Sequence, residues 1–388
     1  MVNLAVSWRE RFWGVTRILG FACAMATATC HAANLYVRSG ADAGVGAAGS
    51  PFNTISAALD TAQEGDTICI AQGTYPERID LQKNRITLKG GFDPTFERGR
   101  NPAKYETVID GQTKFRPLQI GGDRTGVSKF HINGLTITRG LADGAESSEG
   151  KGGGILIVGD SSGKIVRCKF SDNWAADDGG AIEYNSSGTL KIDRCLFRGN
   201  SAHDDGGAIR LQGSRSATTI SNCVFVNNTG LDKYVVQAKG ETWILNCTFV
   251  GNSSHSRGII ASRSKVGSTD AKVTVANCIF ASNRALDSDP MLYADGESVP
   301  IVASGCLFYE NDASGGLGNC VQLDSNGHSE GDPLFVDAAA GNFRLNEDSP
   351  AIDSGSALDK VKKDFDGNRR QQGSAVDIGA FESLSTAE

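Results

Sequence analysis

The chain has 388 residues, of which 48 are Gly and 9 are Pro, with 38 Lys and Arg against 45 Asp and Glu for a net charge of −7. Glycine at nearly twice its usual ~7% share, without a Gly-x-y period, excludes collagen and points to one large, turn-rich all-β body. The acidic balance and the lack of any long Lys/Arg run exclude nucleic acid as the principal partner, and 10 Cys are too few for a disulfide-built scaffold.

Residues 1–32 read as a secretory signal peptide: Arg9, Arg11 and Arg17 precede an apolar stretch at 18–29, and small residues lead to a cleavage point after Ala32. The apolar stretch is too short for a membrane span, and Cys23 and Cys30 stand in poor contexts for lipid attachment. No later segment is long and apolar enough to cross a bilayer. The expectation is a monomer without a transmembrane segment in the mature chain, secreted, periplasmic or at the cell surface.

The body is read as residues 33–330. Apolar residues at helical spacing over 54–62, with Asn53 or Thr54 as cap, predict a short helix that covers the first coil. Strands are predicted at 66–70, 86–90 and 107–110. A repeat then takes over. Cys-x-Phe-x-x-Asn occurs at Cys168/Phe170/Asn173, Cys195/Phe197/Asn200, Cys223/Phe225/Asn228, Cys247/Phe249/Asn252, Cys278/Phe280/Asn283 and Cys306/Phe308/Asn311, after a degenerate copy at Leu135/Ile137/Gly140. Three residues before these positions stand Ile132, Ile165, Ile192, Ile220, Ile244 and Val275, with Ala303 departing from the rule.

Parity gives the geometry. Cys and Phe, two apart, share one strand face; the preceding Ile has the wrong parity and belongs to a separate strand across a two-residue corner. A third strand follows the Asn at 153–157, 179–184 and 206–211, where Gly-Gly supplies a corner. Three strands and three corners make one turn of a parallel β-solenoid, stacked at ~4.8 Å with inward ladders of Cys, Phe and Ile. The Asn forms a corner ladder, taking left-handed backbone and bonding to its like in the next coil. The ladder cysteines are expected as buried free thiols, because ~4.8 Å exceeds the Cβ separation of ~3.8 Å that a disulfide prefers. Cys69 and Cys320 fall outside the ladder. From 331 to 388 the repeat is broken, and this stretch is expected to cap the other end.

Phe-x-x-Asn combined with Gly-Gly-Ala-Ile resembles the repeats of polymorphic membrane proteins, and the body is similar to the pectin-lyase-like superfamily. The segment ending Asp377-Ile378-Gly379-Ala380-Phe381-Glu382 resembles the choice-of-anchor type found in bacterial secreted β-helix proteins. The resemblance implies an all-β, right-handed parallel β-helix of three-strand coils with a short N-terminal capping helix. It leaves the chemistry open.

Aligning the coils on the Asn brings polar residues together. Asp177, Asp204 and Asp232 stand four past it, Asp178, Asp205, Lys233 and Arg257 five past it, and His203 and His255 three past it. Glu183 points outward from the third strand with Arg210 beside it. Such a stripe suits contact with an extracellular acidic polysaccharide. For a uronate lyase, Asp177, Asp178, Asp204 and Asp205 would hold Ca²⁺, Lys233 or Arg257 would act as base with Asp204 in the catalytic set, and Glu183, Arg210 and His203 would contact substrate. A hydrolase with paired Asp is the weaker option, since the Gly-His-Gly and Arg-Ile-Lys signatures of polygalacturonases are absent. Turn chemistry accounts for Asp before Gly-Gly equally well, which leaves a non-catalytic adhesin or structural protein as the alternative.

Overall fold

The computed structural model describes residues 32–384 except 123–125, 145–148, 214–216, 264–271, 288, 296–300, 314, 317–320 and 324–326. The stretch read as an export signal, with Cys23 and Cys30, lies outside the described residues apart from Ala32, and so does Cys320.

The chain opens with a strand at Asn34–Val37 that pairs in parallel with Thr67–Ala71. Between them lies the helix Ile55–Thr61. Thr54 caps it by accepting from the Ala57 amide at 3.2 Å, and the Glu77 carboxylate accepts from the Ile55 and Ser56 amides at 2.9 and 3.0 Å. Negative charge and acceptors at a helix start satisfy amides that have no partner within the helix. Ile55, Ala58 and Leu59 are buried, so the helix closes the apolar interior at this end.

The coils wind into a right-handed parallel β-helix. Among the described residues one sheet of eleven strands carries the Ile ladder, one of ten the Phe ladder and one of eight the strand after Gly-Gly. A narrow fourth sheet of six strands, two residues wide in its first coils, follows the ladder Asn. Ile132, Ile165, Ile192, Ile220, Ile244, Val275 and Ala303 lie in register. Phe170, Phe197, Phe225, Phe249, Phe280 and Phe308 stack with centroids 4.5 to 5.0 Å apart and planes within 6°. The strand spacing imposes that near-parallel stack.

The Asn ladder forms as expected: each Nδ2 donates to Oδ1 of the next coil, from Asn173 through Asn200, Asn228, Asn252 and Asn283 to Asn311, at 2.9 to 3.0 Å. The left-handed backbone, however, falls one residue earlier, on Arg139, Asp172, Gly199, Asn227, Gly251, Ser282 and Glu310. The ladder Asn points its amide inward to close bonds that a strand cannot close at a corner. Cys69 and the six ladder cysteines are buried free thiols.

The C-terminal segment contains an antiparallel pair, Phe335–Asp337 with Asn342–Leu345. Its apolar contacts among the described residues run along the side of the solenoid. Phe343, Ala380 and Phe381 pack on Val224 and Val226, and Leu345, Ala351 and Ile378 on Ile279 and Leu307. Those are outward neighbours of the ladder Phe, buried because this segment covers them, and the polar one among them, Thr248, accepts from the Ala380 amide at 3.0 Å.

Candidate functional site

After the narrow sheet two successive coils turn through Asp-Gly-Gly, at 178–180 and 205–207. Gly179 and Gly206 adopt φ of 66° and 72°, and a Cβ on Gly180 would sit 2.1 Å from the Gly207 carbonyl oxygen, so both glycines are steric requirements. Backbone bonds join the corners coil to coil: Gly152 N to Asp178 O, Gly179 N to Asp205 O, Asp204 N to Asp177 O and Lys233 N to Asp204 O. Two columns result. The inner one reads Lys151, Asp178, Asp205, Lys233, Arg257; the outer one includes Asp177, Asp204 and Asp232.

The inner column is a buried ion network. Asp178 bonds Arg210 and receives Lys151 Nζ at 3.0 Å. Asp205 Oδ2 accepts from Gln237 Nε2 at 3.1 Å and Arg263 Nη1 at 3.0 Å. Arg210 Nε donates to Gln237 Oε1 at 3.0 Å, and Arg210 Nη1 lies 3.3 Å from Glu183 Oε1. Glu183, Arg210 and Gln237 stand in register on successive strands of the sheet that follows Gly-Gly. Burial pushes the Glu183 carboxyl up to about 8 against the opposing charge of Arg210, and its Oε2 has no hydrogen-bond partner among the described residues. A protonated carboxyl fits both facts. Burial also raises Asp178, with Arg210 and Lys151 opposing.

This geometry corrects part of the sequence reading. Glu183 and Arg210 do point away from the interior, but they are 0% and 8% exposed and cannot touch a polymer; outward parity says nothing about what lies on top. Asp205 stands apart from the oxygen cluster of Asp177, Asp178 and Asp204: its Oδ2 is committed to Gln237 and Arg263, and its buried Oδ1, without a hydrogen-bond partner among the described residues, lies 3.8 Å from Lys233 Nζ. Lys233 is a poor base: although burial disfavours its charge, the hydrogen bonds it donates to Asp204 and Asp232 and the charge of Asp205 outweigh that and hold the ammonium protonated. Arg257 closes the column in left-handed backbone, its amide donating to Asp289.

The outer column stays accessible. The side chains of Asp177, Asp204 and Asp232 are 45%, 38% and 50% exposed. Lys151 Nζ sits 3.2 Å from Asp177, and Lys233 bonds Asp204 and lies 3.0 Å from Asp232. The Lys233 hydrogen bond holds Asp232 below the usual carboxylate range. His203 is exposed, and His255 lies 3.7 Å from Asp287 further along. Carboxylate oxygens of Asp177, Asp178 and Asp204 come within 4.8 Å of one another. Hard oxygen donors suit Ca²⁺, and such an ion would compete with the Lys151 ammonium for Asp177 and Asp178.

Two residues of this surface escape sequence alignment. Lys151 precedes Gly152-Gly153-Gly154 as Asp178 and Asp205 precede their glycines, but its coil has Gly140 in place of the ladder Asn. Trp174, half-buried on the narrow sheet, pairs with Leu141 and Ser201 and stands three residues before Asp177.

A sequence-family profile described as a right-handed β-helix region matches residues 124–271, in agreement with the architecture above. Among solved structures, a pectate lyase, Pel9A, superposes with a TM-score of 0.49 at 13% identity, covering 90% of this chain and 96% of that one. A pectin methylesterase from Aspergillus niger in deglycosylated form gives 0.39 at 15%, covering 76% and 83%. A pectin methylesterase mutant in complex with hexasaccharide IV gives 0.31 at 13%, covering 82% and 98%. No curated protein sequence matches the chain.

Proposed function

We propose that the protein is an extracellular β-helix that holds acidic polysaccharide along the row of Asp177, Asp204 and Asp232 without cleaving it. The observation that carries this reading is the row itself: half-exposed carboxylates in three successive coils, with Lys151 and Lys233 beside them. Parallel strands repeat at ~4.8 Å, so the row offers evenly spaced charges to an extended polymer. Uronate carboxylates would be bridged to Asp177 and Asp204 by Ca²⁺, which supplies positive charge between two acidic partners. Lys233 would meet carboxylates directly, and Trp174 and His203 would flank the chain.

Binding is favoured over a lyase that would use Lys233 or Glu183 as its base. Lys233 is held charged, and Glu183, whose carboxyl is pushed up to about 8, is buried beneath the network. A general base must reach the proton it removes. The test is calorimetry of the mature protein with polygalacturonate in Ca²⁺ and in EDTA, alongside ultraviolet detection of unsaturated ends. The expected result is Ca²⁺-dependent binding, weakened about tenfold in Asp204→Asn, and no unsaturated product. Unsaturated ends, or Ca²⁺-dependent binding unchanged in Asp204→Asn, would overturn the reading.

A further inference from the structure

A different column runs along the corner just before the ladder Cys: Gly134, Arg167, Arg194, Asn222, Asn246, Asn277 and Gly305, all in left-handed backbone with φ between 50° and 69°. In the later coils the C-terminal segment covers this column. Asn222 Oδ1 accepts from Arg370 Nη2 at 2.7 Å, Asn246 Nδ2 donates to Asp377 O at 3.1 Å, and Asn277 Nδ2 donates to Ser356 O at 2.7 Å. The earlier half is cationic. Arg167 and Arg194 are followed at Gly134 by the Arg100 guanidinium, which lies where a Cβ of that glycine would be, 2.3 Å from Nη2. Asn tolerates left-handed backbone better than Arg does, so Arg at 167 and 194 calls for a reason in the side chain.

These guanidiniums face a groove of about 440 Å³ lined by Arg100, Pro102, Arg167, Arg194, Leu196 and Phe365. The carboxylates nearby are committed elsewhere. Asp366 forms a two-pronged pair with Arg344 at 2.7 and 2.8 Å, and Glu106 pairs Lys169 at 2.9 Å. Asp193 takes Arg194 Nε at 3.0 Å while also accepting from Ser221 and Asn222. Arg100 donates to neutral oxygens of Gly90 and Asn133. Arg194 Nη1 is buried with no hydrogen-bond partner, and the Arg167 side chain has no hydrogen bond or ion pair among the described residues. A Cβ built on Gly367 would lie 3.3 Å from Arg167 Nη2 and 3.4 Å from Arg194 Nη1, so both guanidiniums converge on one point. Burial, then the charge of the neighbouring arginine, lowers Arg100 and Arg167.

We propose that this groove binds the carboxylate of an acidic oligosaccharide, with Arg167 and Arg194 gripping the oxyanion and Phe365, Pro102 and Leu196 receiving the apolar face of the sugar. Guanidinium matches a carboxylate in a two-pronged fork, and the volume lies in the range of small-ligand sites, ~300–1,000 Å³. The site needs no metal and stands apart from the Asp row.

The experiment is calorimetry with trigalacturonate in EDTA, where Ca²⁺-dependent binding at the Asp row is silent. The expected result is measurable binding by the wild type and a loss of at least about tenfold in Arg167→Asn. That variant gives the coil the residue that Asn222, Asn246 and Asn277 carry at the same φ, so it keeps the fold, as checked by circular dichroism and melting temperature. Arg167→Lys, which keeps charge but loses the fork, falls between. The methyl-esterified trimer binds as weakly to the wild type as the acid does to Arg167→Asn. Equal binding of acid by wild type and Arg167→Asn, equal binding of acid and ester, or no binding in EDTA would overturn the proposal. Inorganic sulfate competing as tightly as the trimer would overturn the role given to the sugar.

Discussion

The buried carboxyl of Glu183 gives the sharpest test of the ion network. In the folded chain it releases its proton at about 8 instead of the ordinary 4.5, because burial opposes the charge more strongly than Arg210 favours it. Between those two pH values the unfolded chain has lost the proton and the folded chain keeps it, so each rise in pH disfavours folding. Stability present at low pH is lost from about pH 4.5 upward, and the loss is complete above about pH 8. At about 1.4 kcal/mol per tenfold change in proton affinity, the total is on the order of 5 kcal/mol. Glu183→Gln replaces the carboxyl by an amide of the same shape, keeps an oxygen for Arg210 Nη1 and has no proton to release. In urea unfolding at pH 5, 6, 7, 8 and 9, the variant should gain on the wild type by about 1 kcal/mol per pH unit up to pH 8 and then level off. Asp377, raised by burial to about 6, gives a slope of the same sign in both proteins and cancels in the difference. A difference constant across the series would mean that Glu183 is ionised beside Arg210 throughout, and the argument that it carries a proton would fall.

Asn228→Leu should cost at least about 3 kcal/mol in denaturant unfolding: it takes their Asn228 partner from the buried Asn200 amide, Asn200 Nδ2 and the Phe197 carbonyl, at about 1–3 kcal/mol for each group left unsatisfied, while Asn252 Oδ1 keeps the Asn228 backbone N–H. Asn311→Leu, at the end of the ladder and only partly buried, should cost clearly less; equal costs would deny the ladder its cooperative role. Arg370→Met removes the buried partner of Glu382 at 3.1 Å and the donor to Asn222, which is worth about 3–5 kcal/mol locally. Hydrogen exchange should then rise across 331–384 while the amides of the Phe-ladder strands stay protected, and a rise spread evenly over all coils would contradict the lateral docking of that segment.

Much of the fold was legible because a solenoid turns sequence period into spatial register. The residue one coil along from Phe197 is Phe225, and the backbone pairing confirms it. Parity placed the Ile and Phe strands on separate sheets for the same reason. What escaped depends on contacts that the period does not encode. The left-handed corner residue varies among Arg, Asp, Gly, Asn, Ser and Glu, so no ladder marks it. The course of the C-terminal segment had a signal in the apolar outward residues Val224, Val226, Ile279 and Leu307, which only a covering element explains. Glu183 is outward, as its parity predicts, yet buried: it sits within the ion network beside Arg210 and near Asp178, contacts that the strand period does not encode. Lys151 was hidden by the missing Asn of its own coil.

Register also sets a rule for charge. Stacking puts like over like at ~4.8 Å, which suits Phe, Cys and the self-complementary Asn but sets equal charges against each other at a cost of about 3.5 kcal/mol for an effective dielectric constant of ~20. The Asp178 and Asp205 pair obeys the rule: Lys151 stands on one side, Lys233 on the other and Arg210 between. Arg167 and Arg194 are the same situation with the signs reversed, and Asp193 is the single carboxylate that pairs there among the described residues. Where two stacked carboxylates are offset from within the chain, two stacked guanidiniums are left with an open groove in front of them. An anion from outside completes the second arrangement as the lysines complete the first, which is why the affinity of that groove should follow the charge of the ligand and not the presence of a metal.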